Sequence, residues 1–338
     1  MNAGATGGAG ALVVIRAGAL GDVLLGFPAL DVLRELVLDR RLILVAPLPQ
    51  ARLALRGGRV DEVVAFDDPA LVGLFAGTSS ALPAPLDGVI EAVIWMRSHE
   101  EVTACLRRLG VDVVMASAPV PPVPPVPAVR PAGGRSHAAD WLIHSLSPLG
   151  VEPRGEWDGR AWLQVTVEQG AEAERLLAAS GIRGEYVVLH PGSGSPRKNW
   201  PVEMWLAVLQ AAARGREVVV TAGPADDEAL ALLAAVWPGS LAPARIVRAP
   251  SLDVLAGILS GAALYAGNDS GVTHLAAAVG APTLAVFGPT DPIVWRPRGP
   301  RVVVLGGAAA SGMDGIFAGE AKWPRVSDVI DGAQRLAG

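Results

Sequence analysis

Short runs of β-branched and aliphatic residues alternate with segments of helical periodicity along most of the chain. These runs begin at residues 12, 41, 60, 89 and 111 in the first half, and at 186, 217, 245, 263, 283 and 302 in the second. Strands that alternate with helices of this length predict mostly parallel sheets with both faces covered by helices. The sequence therefore predicts an α/β protein in which the strand–helix pattern starts twice.

A proline-rich segment and a polar stretch separate the two halves of this pattern. Residues 119–131 read PVPPVPPVPAVRP, which favours a stiff extended loop, with a ligand for a proline-recognition module as the alternative. A polar, tryptophan-containing stretch lies at about 152–162, and we place the domain boundary there. With 338 residues, we expect an N-terminal Rossmann-like domain over 1–160 and a C-terminal one over 161–324. Ser327 is the predicted cap of a final helix.

The composition narrows the class of protein. Hydrophobic residues make up 51% and charged residues 18%, which supports a large buried core. The net charge of −5 argues against a nucleic-acid partner, and prolines and glycines in the long uncharged runs leave at most a peripheral contact with membranes. The single cysteine, Cys105, excludes an intramolecular disulfide. Because the first residues also lack the positive region of a signal peptide, we expect a cytoplasmic protein.

Three glycine-rich turns follow predicted strands, at the end of a parallel sheet where ligands bind. The first reads GALGD at 18–22. Gly18 and Gly21 permit close approach of a ligand to the backbone, and a predicted helix begins beyond them. Asp22 is unusual here because a carboxylate repels a phosphate. It is either the cap of that helix or a general base.

The second turn lies within HPGSGSPRKNWP at 190–201. Ser193, Gly194 and Ser195, together with Lys198 before a helix, form a predicted cradle for a diphosphate. Lys198 is one of only two lysines among 28 basic residues, which favours a place where a compact point charge is needed. The alternative is a solvated cation on a loop.

The third turn reads GNDSG at 267–271 and opens a helix. Asn268, Asp269 and Ser270 cluster where the strand ends, and Gly271 follows them. Asp269 is either an acceptor for ribose hydroxyls or a helix cap. His274 lies at the start of the helix, where a buried structural histidine is the alternative to a ligand contact.

In their order along the chain, these turns and the later segment FGPTDP resemble glycosyltransferase family 9, the family of ADP-heptose:lipopolysaccharide heptosyltransferases. The resemblance runs from Val13 to about Pro292. It implies a GT-B fold, in which two Rossmann-like domains face each other across a cleft and the C-terminal helix, 325–338, packs back on the N-terminal domain. It also implies an inverting, metal-independent sugar transfer without a cofactor. The implied donor is a nucleotide sugar, ADP-heptose, and the implied acceptor is a glycan, a lipopolysaccharide core or a small molecule.

When the motifs are matched one by one, the resemblance implies that Asp22 is the general base and that Lys198 contacts the donor diphosphate. Asp226, in GPADDE at 223–228, lies near an acidic family position that binds ribose, and Glu228 competes for that match. The absence of any Asp-x-Asp agrees with metal-independent transfer. The expected donor-binding set comprises Gly18, Gly21, Ser193, Gly194, Ser195, Asp226, Asn268, Asp269, Ser270, Gly271 and His274.

Two other functions remain open from the sequence. An NAD-dependent oxidoreductase also uses glycine turns after strands, although neither half has the full G-x-G-x-x-G spacing after its first strand. The second of these functions is that of a non-catalytic protein that binds a nucleotide sugar. Residues 1–155 contain 13 arginines, no lysine and 15 acidic residues, so their net charge is −2. This balance leaves a neutral or small-molecule acceptor open beside a phosphorylated lipopolysaccharide core.

Overall fold

The computed structural model describes residues 10–121, 136–151, 159–241, 243–307 and 322–338. The chain forms two compact units that divide close to residue 155. Each unit contains one sheet, and every strand pairing in both sheets is parallel. The predicted α/β class with two parallel-sheet domains is confirmed. The predicted proline-rich loop lies largely outside the described residues, as does most of the polar stretch at 152–162.

The first unit has a five-stranded sheet with the strand order β3-β2-β1-β4-β5. Its strands are β1 (Ala11–Arg16), β2 (Leu42–Ala46), β3 (Glu62–Ala65), β4 (Val89–Trp95) and β5 (Asp112–Ser117). Its helices are α1 (Leu20–Leu24), α2 (Phe27–Leu36), α3 (Leu48–Arg56), α4 (Val72–Phe75), α5 (Glu100–Arg108) and α6 (Ala138–His144). Strand β1 is central and fully buried, as its unbroken apolar run predicts. The strand order reverses between β1 and β4, so the turn at 18–22 lies at this reversal.

The second unit has a six-stranded sheet with the order β11-β10-β9-β6-β7-β8, which is the Rossmann order. Its strands are β6 (Tyr186–His190), β7 (Glu217–Ala222), β8 (Arg245–Arg248), β9 (Leu264–Asn268), β10 (Thr283–Phe287) and β11 (Val302–Gly306). Its helices are α7 (Val167–Ala179), α8 (Val202–Ala212), α9 (Asp227–Val236), α10 (Leu252–Ser260), α11 (Gly271–Ala278), α12 (Pro292–Trp295) and α13 (Val326–Ala337). Here the order reverses between β6 and β9, the strands that precede the second and third glycine turns.

The C-terminal helix α13 packs on the second unit, against α8 and strands β9, β10 and β11. Val329 and Ala333 are fully buried in the core of that unit, and Val326 and Ile330 pack at its border. These positions form one apolar stripe at helical spacing, which the second sheet covers. The prediction that this helix packs back on the first domain is therefore wrong. Ser327 lies inside the helix and does not cap it, because the helix already begins at Val326.

No helix in the described part of the chain is both long and apolar enough to cross a membrane. The longest described helix is α7, which has 13 residues.

Candidate functional site

Three loops of the second unit come together at the carboxyl ends of neighbouring strands. They follow β6, β9 and β10, and β9 lies between the other two in the sheet. In open α/β sheets, ligands bind outside the carboxyl ends of the strands at the point where the strand order reverses. The loops after β6 and β9 flank this point, so they form the candidate site of the second unit.

The carboxylate of Asp269 joins all three loops. Its Oδ2 accepts a hydrogen bond from Nζ of Lys198 at 2.8 Å and another from Oγ1 of Thr290 at 2.7 Å. The Asp269 side chain is 7% exposed and that of Lys198 is 21% exposed. A carboxylate this buried requires charged or hydrogen-bonding partners. The ion pair therefore holds the Lys198 ammonium at the reversal point while leaving part of the side chain accessible to solvent.

Asn268 holds both ends of the loop after β6. Its Oδ1 accepts a hydrogen bond from the backbone N–H of Trp200 at 2.9 Å, and its Nδ2 donates to the carbonyl of Pro191 at 2.7 Å. The residue is completely buried. The side-chain amide of Asn268 therefore shapes the loop, and the predicted contact of Asn268 with a donor stays a prediction.

The predicted phosphate loop is shaped by Ser193. Its hydroxyl oxygen lies 2.7 Å from both the carbonyl of Ser195 and Oδ1 of Asn199, and the side chain is buried. Gly194 is exposed, and a Cβ placed on it would meet no atom within 4 Å. Pro196–Lys198 then form a single 3₁₀ turn that carries Lys198 back toward Asp269. This loop offers backbone rather than the Ser193 hydroxyl to a ligand.

Helix α11 begins directly after the Asp269 turn. The hydroxyl of Ser270 caps it by accepting a hydrogen bond from the backbone N–H of Thr273 at 3.3 Å. Thr273 Oγ1 in turn donates to the carbonyl of Asn268 and lies 2.9 Å from the hydroxyl of Tyr265. Burial raises the pKa of Tyr265. The first N–H groups of any helix lack partners within it, so the start of α11 at Gly271 is suited to an anion.

His274 lies on α11 and is 5% exposed. Its backbone N–H donates to the carbonyl of Ser270 at 3.3 Å. This position fits the structural alternative stated for His274 better than a direct ligand contact.

Asp226 is also committed to contacts inside the protein. Its Oδ2 accepts a hydrogen bond from the backbone N–H of Gly223 at 2.6 Å, and the residue is 5% exposed. A Cβ placed on Gly192 would overlap the Asp226 carboxylate. Glu228, the competing acidic residue, is exposed in the first turn of α9. Of the two carboxylates, Glu228 is the one that a ligand in solvent can reach.

The side chain of His190 lies next to that of Asp226. Its Nε2 lies 3.7 Å from Oδ2 of Asp226, and its Nδ1 lies 2.9 Å from the carbonyl of Thr221. That carbonyl can only accept, so Nδ1 carries the proton. Burial lowers the pKa of His190, although Asp226 and the bond to Thr221 act in the opposite direction. The imidazole is therefore neutral at neutral pH.

The turn of the first unit is built around Asp22. Asp22 is the third residue of α1 rather than its cap, and its Oδ2 accepts a hydrogen bond from the backbone N–H of Ala19, the residue before the helix, at 3.0 Å. Its Oδ1 lies 3.7 Å from the guanidinium of Arg16, and the Asp22 side chain is 38% exposed. Gly18 has φ +137°, and a Cβ there would press on the Asp22 side chain, so the turn requires glycine. Asp22 thus bonds back to the residue before the helix, and the general-base role stays a prediction.

Arg16 is buried beneath this turn. Its guanidinium donates to the carbonyls of Ala17 at 2.7 Å and Asp22 at 2.8 Å. Burial lowers the pKa of Arg16 to about 10, an effect that the nearby Asp22 carboxylate partly offsets. The buried cation fixes the orientation of Asp22.

The sequence pattern does not single out Arg16, His190 or Thr290 as parts of these sites. Arg16 places a charge at the end of an apolar strand, and a charge at that position can indicate a functional site. His190 and Thr290 occur in the motifs HPGSG and FGPTDP, but the motifs alone give these two side chains no role. Their contacts depend on which loops the sheet brings together.

Sequence comparison shows that the second unit is similar to a known family. The model of glycosyltransferase family 9 (heptosyltransferase) matches residues 159–314. Over 155 residues the chain is 34% identical to lipopolysaccharide heptosyltransferase 3 of Escherichia coli, an alignment that covers 45% of this chain and 44% of that protein. The chain thus spans less than half the length of the curated relative that it matches. The Asp22 turn lies outside the residues matched by the family model.

Comparison with solved structures extends over the whole chain. The glycosyl transferase family 9 protein from Veillonella parvula DSM 2008 superposes with a TM-score of 0.72 at 20% identity, covering 97% of each chain. The ADP-heptose lps heptosyltransferase II of E. coli gives a TM-score of 0.67 at 18% identity, covering 96% of this chain and 98% of the other. These likenesses confirm the predicted GT-B fold class. The sequence match shows that residues 159–314 are similar to glycosyltransferase family 9.

Proposed function

We propose that the protein is a glycosyltransferase that moves a sugar from a nucleoside-diphosphate donor to an acceptor hydroxyl. The observation that carries this proposal is the Lys198 ammonium, held 2.8 Å from Asp269 at the reversal point of the sheet and next to the start of α11. Cleavage of a sugar–diphosphate bond leaves negative charge on the departing nucleotide. A fixed cation and the N–H groups of a helix terminus stabilise such charge.

The donor is ADP-heptose in this proposal. The names of the similar proteins, a lipopolysaccharide heptosyltransferase and an ADP-heptose heptosyltransferase, support this choice. We assign the diphosphate to Lys198, the exposed backbone around Gly194 and the first N–H groups of α11. We assign the ribose hydroxyls to Glu228, because it is exposed while Asp226 is buried among Gly223, His190 and Gly192.

Asp22 is the general base in this proposal. The acceptor hydroxyl forms a bond to the anomeric carbon, the bond from that carbon to the diphosphate oxygen breaks, and the hydroxyl proton passes to Asp22. The nucleoside diphosphate leaves with the electron pair of the broken bond. A single displacement of this kind inverts the anomeric centre. Lys198 supplies the positive charge that a metal ion supplies in other enzymes, so the transfer proceeds without one.

The acceptor is a hydroxyl of a lipopolysaccharide core or of another glycan or small molecule. The names of the relatives support lipopolysaccharide, and the net charge of −2 over residues 1–155 equally suits an acceptor without phosphate. We place the reaction in the cytoplasm, because the chain has a single cysteine, as is usual for proteins of a reducing compartment.

A transfer assay tests this proposal. The protein is incubated with ADP-heptose and a panel of lipopolysaccharide cores and simple glycans, with and without EDTA, and ADP release and the anomeric proton signal of the product are measured. We expect acceptor-dependent ADP release that EDTA does not change and a product of inverted configuration. Binding of ADP without release would support the non-catalytic alternative. Binding of NADH in preference to ADP would support the oxidoreductase.

A further inference from the structure

We propose that Thr290 is a positioning residue that sets the location of the Lys198 ammonium through Asp269. Thr290 is 1% exposed, and its hydroxyl donates to Oδ2 of Asp269 at 2.7 Å. Lys198 donates to the same oxygen at 2.8 Å. The inference rests on the proposed function, because it gives Thr290 a part in holding the cation that faces the departing nucleotide.

Two hydrogen bonds, both to Oδ2, hold the Asp269 carboxylate. Thr290 approaches from the loop after β10 and Lys198 from the loop after β6, since β9 lies between these strands. The backbone of Asp269 is held separately, by a bond from its N–H to the carbonyl of Val286 at 3.1 Å. The terminal torsion of an aspartate has broad minima, so its hydrogen bonds decide the carboxylate angle. Removing the Thr290 hydroxyl therefore lets the carboxylate turn and moves Lys198 with it.

The loop that carries Thr290 is itself rigid. A Cβ placed on Gly288 would overlap the ring of Trp323. On the other side, Asp291 caps α12 by accepting a hydrogen bond from the backbone N–H of Ile293 at 2.9 Å. Thr290 is held between these two fixed points, so its hydroxyl is a stable reference for the carboxylate.

Three variants separate this role from a general loss of stability. Thr290→Val removes the hydroxyl at nearly constant volume, and Thr290→Ser keeps it. Thr290→Ala removes the same hydroxyl without placing a methyl group against the carboxylate, and serves if the valine variant does not fold. The matched control is Thr283→Val, because Thr283 lies on β10, is fully buried and donates to the carbonyl of Ala281 at 2.9 Å.

The first measurement is the kinetics of transfer from ADP-heptose. We expect Thr290→Val to lower kcat/KM about 10-fold, with the larger part of the effect in kcat, since the bond lost is one to a charged group. Thr290→Ser retains most of the activity, and Thr283→Val behaves like the unmodified protein. Equal kinetics in Thr290→Val and Thr283→Val would overturn the proposal.

The second measurement does not depend on activity. The chain has only two lysines, Lys198 and the exposed Lys322, so isotope-labelled lysine gives two side-chain NMR signals. Lys198→Arg assigns them. We expect Thr290→Val and Thr290→Ala to shift the Lys198 signal and leave Lys322 unchanged, and Thr283→Val to shift neither. An unmoved Lys198 signal would overturn the inference about Thr290. Absence of ADP binding by the unmodified protein would instead overturn the proposed function, and with it the link from Thr290 to catalysis, while a shifted Lys198 signal would still show that Thr290 positions the ammonium.

Discussion

The carboxylate of Asp226 occupies the space in which a side chain on Gly192 would lie, so the backbone of the loop after β6 rests directly on this buried acid. The same carboxylate accepts a hydrogen bond at 2.6 Å from the backbone N–H of Gly223, which lies at the start of the loop after β7. Two neighbouring loops of the second unit are thus packed together without room for one further atom.

Gly192→Ala should destabilise the second unit. The added methyl group must displace either the loop or Asp226, and overpacking of this kind costs about 1–3 kcal/mol in the free energy of unfolding. Gly194→Ala is the matched control, because its Cβ meets no atom within 4 Å, and we expect a change within about 0.5 kcal/mol. Denaturant titration of both variants measures the difference. Equal stability of the two variants would contradict the packing described for Asp226.

Asp22→Asn separates the two roles of Asp22. Asparagine keeps a side-chain oxygen that can accept the hydrogen bond from the Ala19 N–H, so we expect the turn to persist. Asparagine cannot take a proton, so we expect transfer to fall by at least about 100-fold while ADP still binds. Kinetics and calorimetry on the same preparation give the transfer rate and the affinity for ADP. Turnover near that of the unmodified protein would remove Asp22 from the mechanism and leave it with the contact to Ala19 alone.

The buried His190 should make stability depend on pH. Because burial lowers its pKa in the folded protein below the ordinary 6.5, the unfolded chain binds a proton at higher pH than the folded one. The stability that depends on the neutral imidazole is complete above about pH 6.5 and is lost as the pH falls toward the lowered pKa. His190→Asn keeps an N–H for the Thr221 carbonyl and does not titrate. Unfolding measured between pH 5 and 7.5 should therefore depend less on pH in this variant, and an unchanged dependence would show that His190 is not the group responsible.

The hydrophobic pattern predicts the central strands best. The predicted first residues of β6 and β10, 186 and 283, match those observed, because both strands are buried along their whole length. Edge strand β3 begins at Glu62 rather than at the predicted residue 60, and it pairs only with β2.

The hydrophobic pattern does not predict two of the helices, α10 and α7. Helix α10 is apolar on nearly all sides because it is buried, so its periodicity is not visible. Helix α7 has only three buried residues, one of them Gln169, and its apolar stripe is correspondingly weak.

The sequence predicts which turns carry the site but not how their side chains meet. Glycine and polar residues directly after strands mark the turns within 18–22, 190–201 and 267–271. The contact of Asp269 with both Lys198 and Thr290 depends on β9 lying between β6 and β10. Strand order is set by packing over the whole sheet, so neighbouring positions in space are not visible in one sequence.

Calorimetric titration with ADP and ADP-heptose tests the central claim about Lys198 most directly. We expect the unmodified protein and Lys322→Ala to bind both, because Lys322 is exposed and we assign it no ligand. Lys198→Ala should bind each at least about 10-fold more weakly, since it removes the cation that pairs with the diphosphate. UDP and GDP, titrated in parallel, should bind more weakly than ADP. Binding of ADP-heptose that is equal in the unmodified protein and in Lys198→Ala, or no binding to either, would contradict the assignment of this site to a nucleotide sugar.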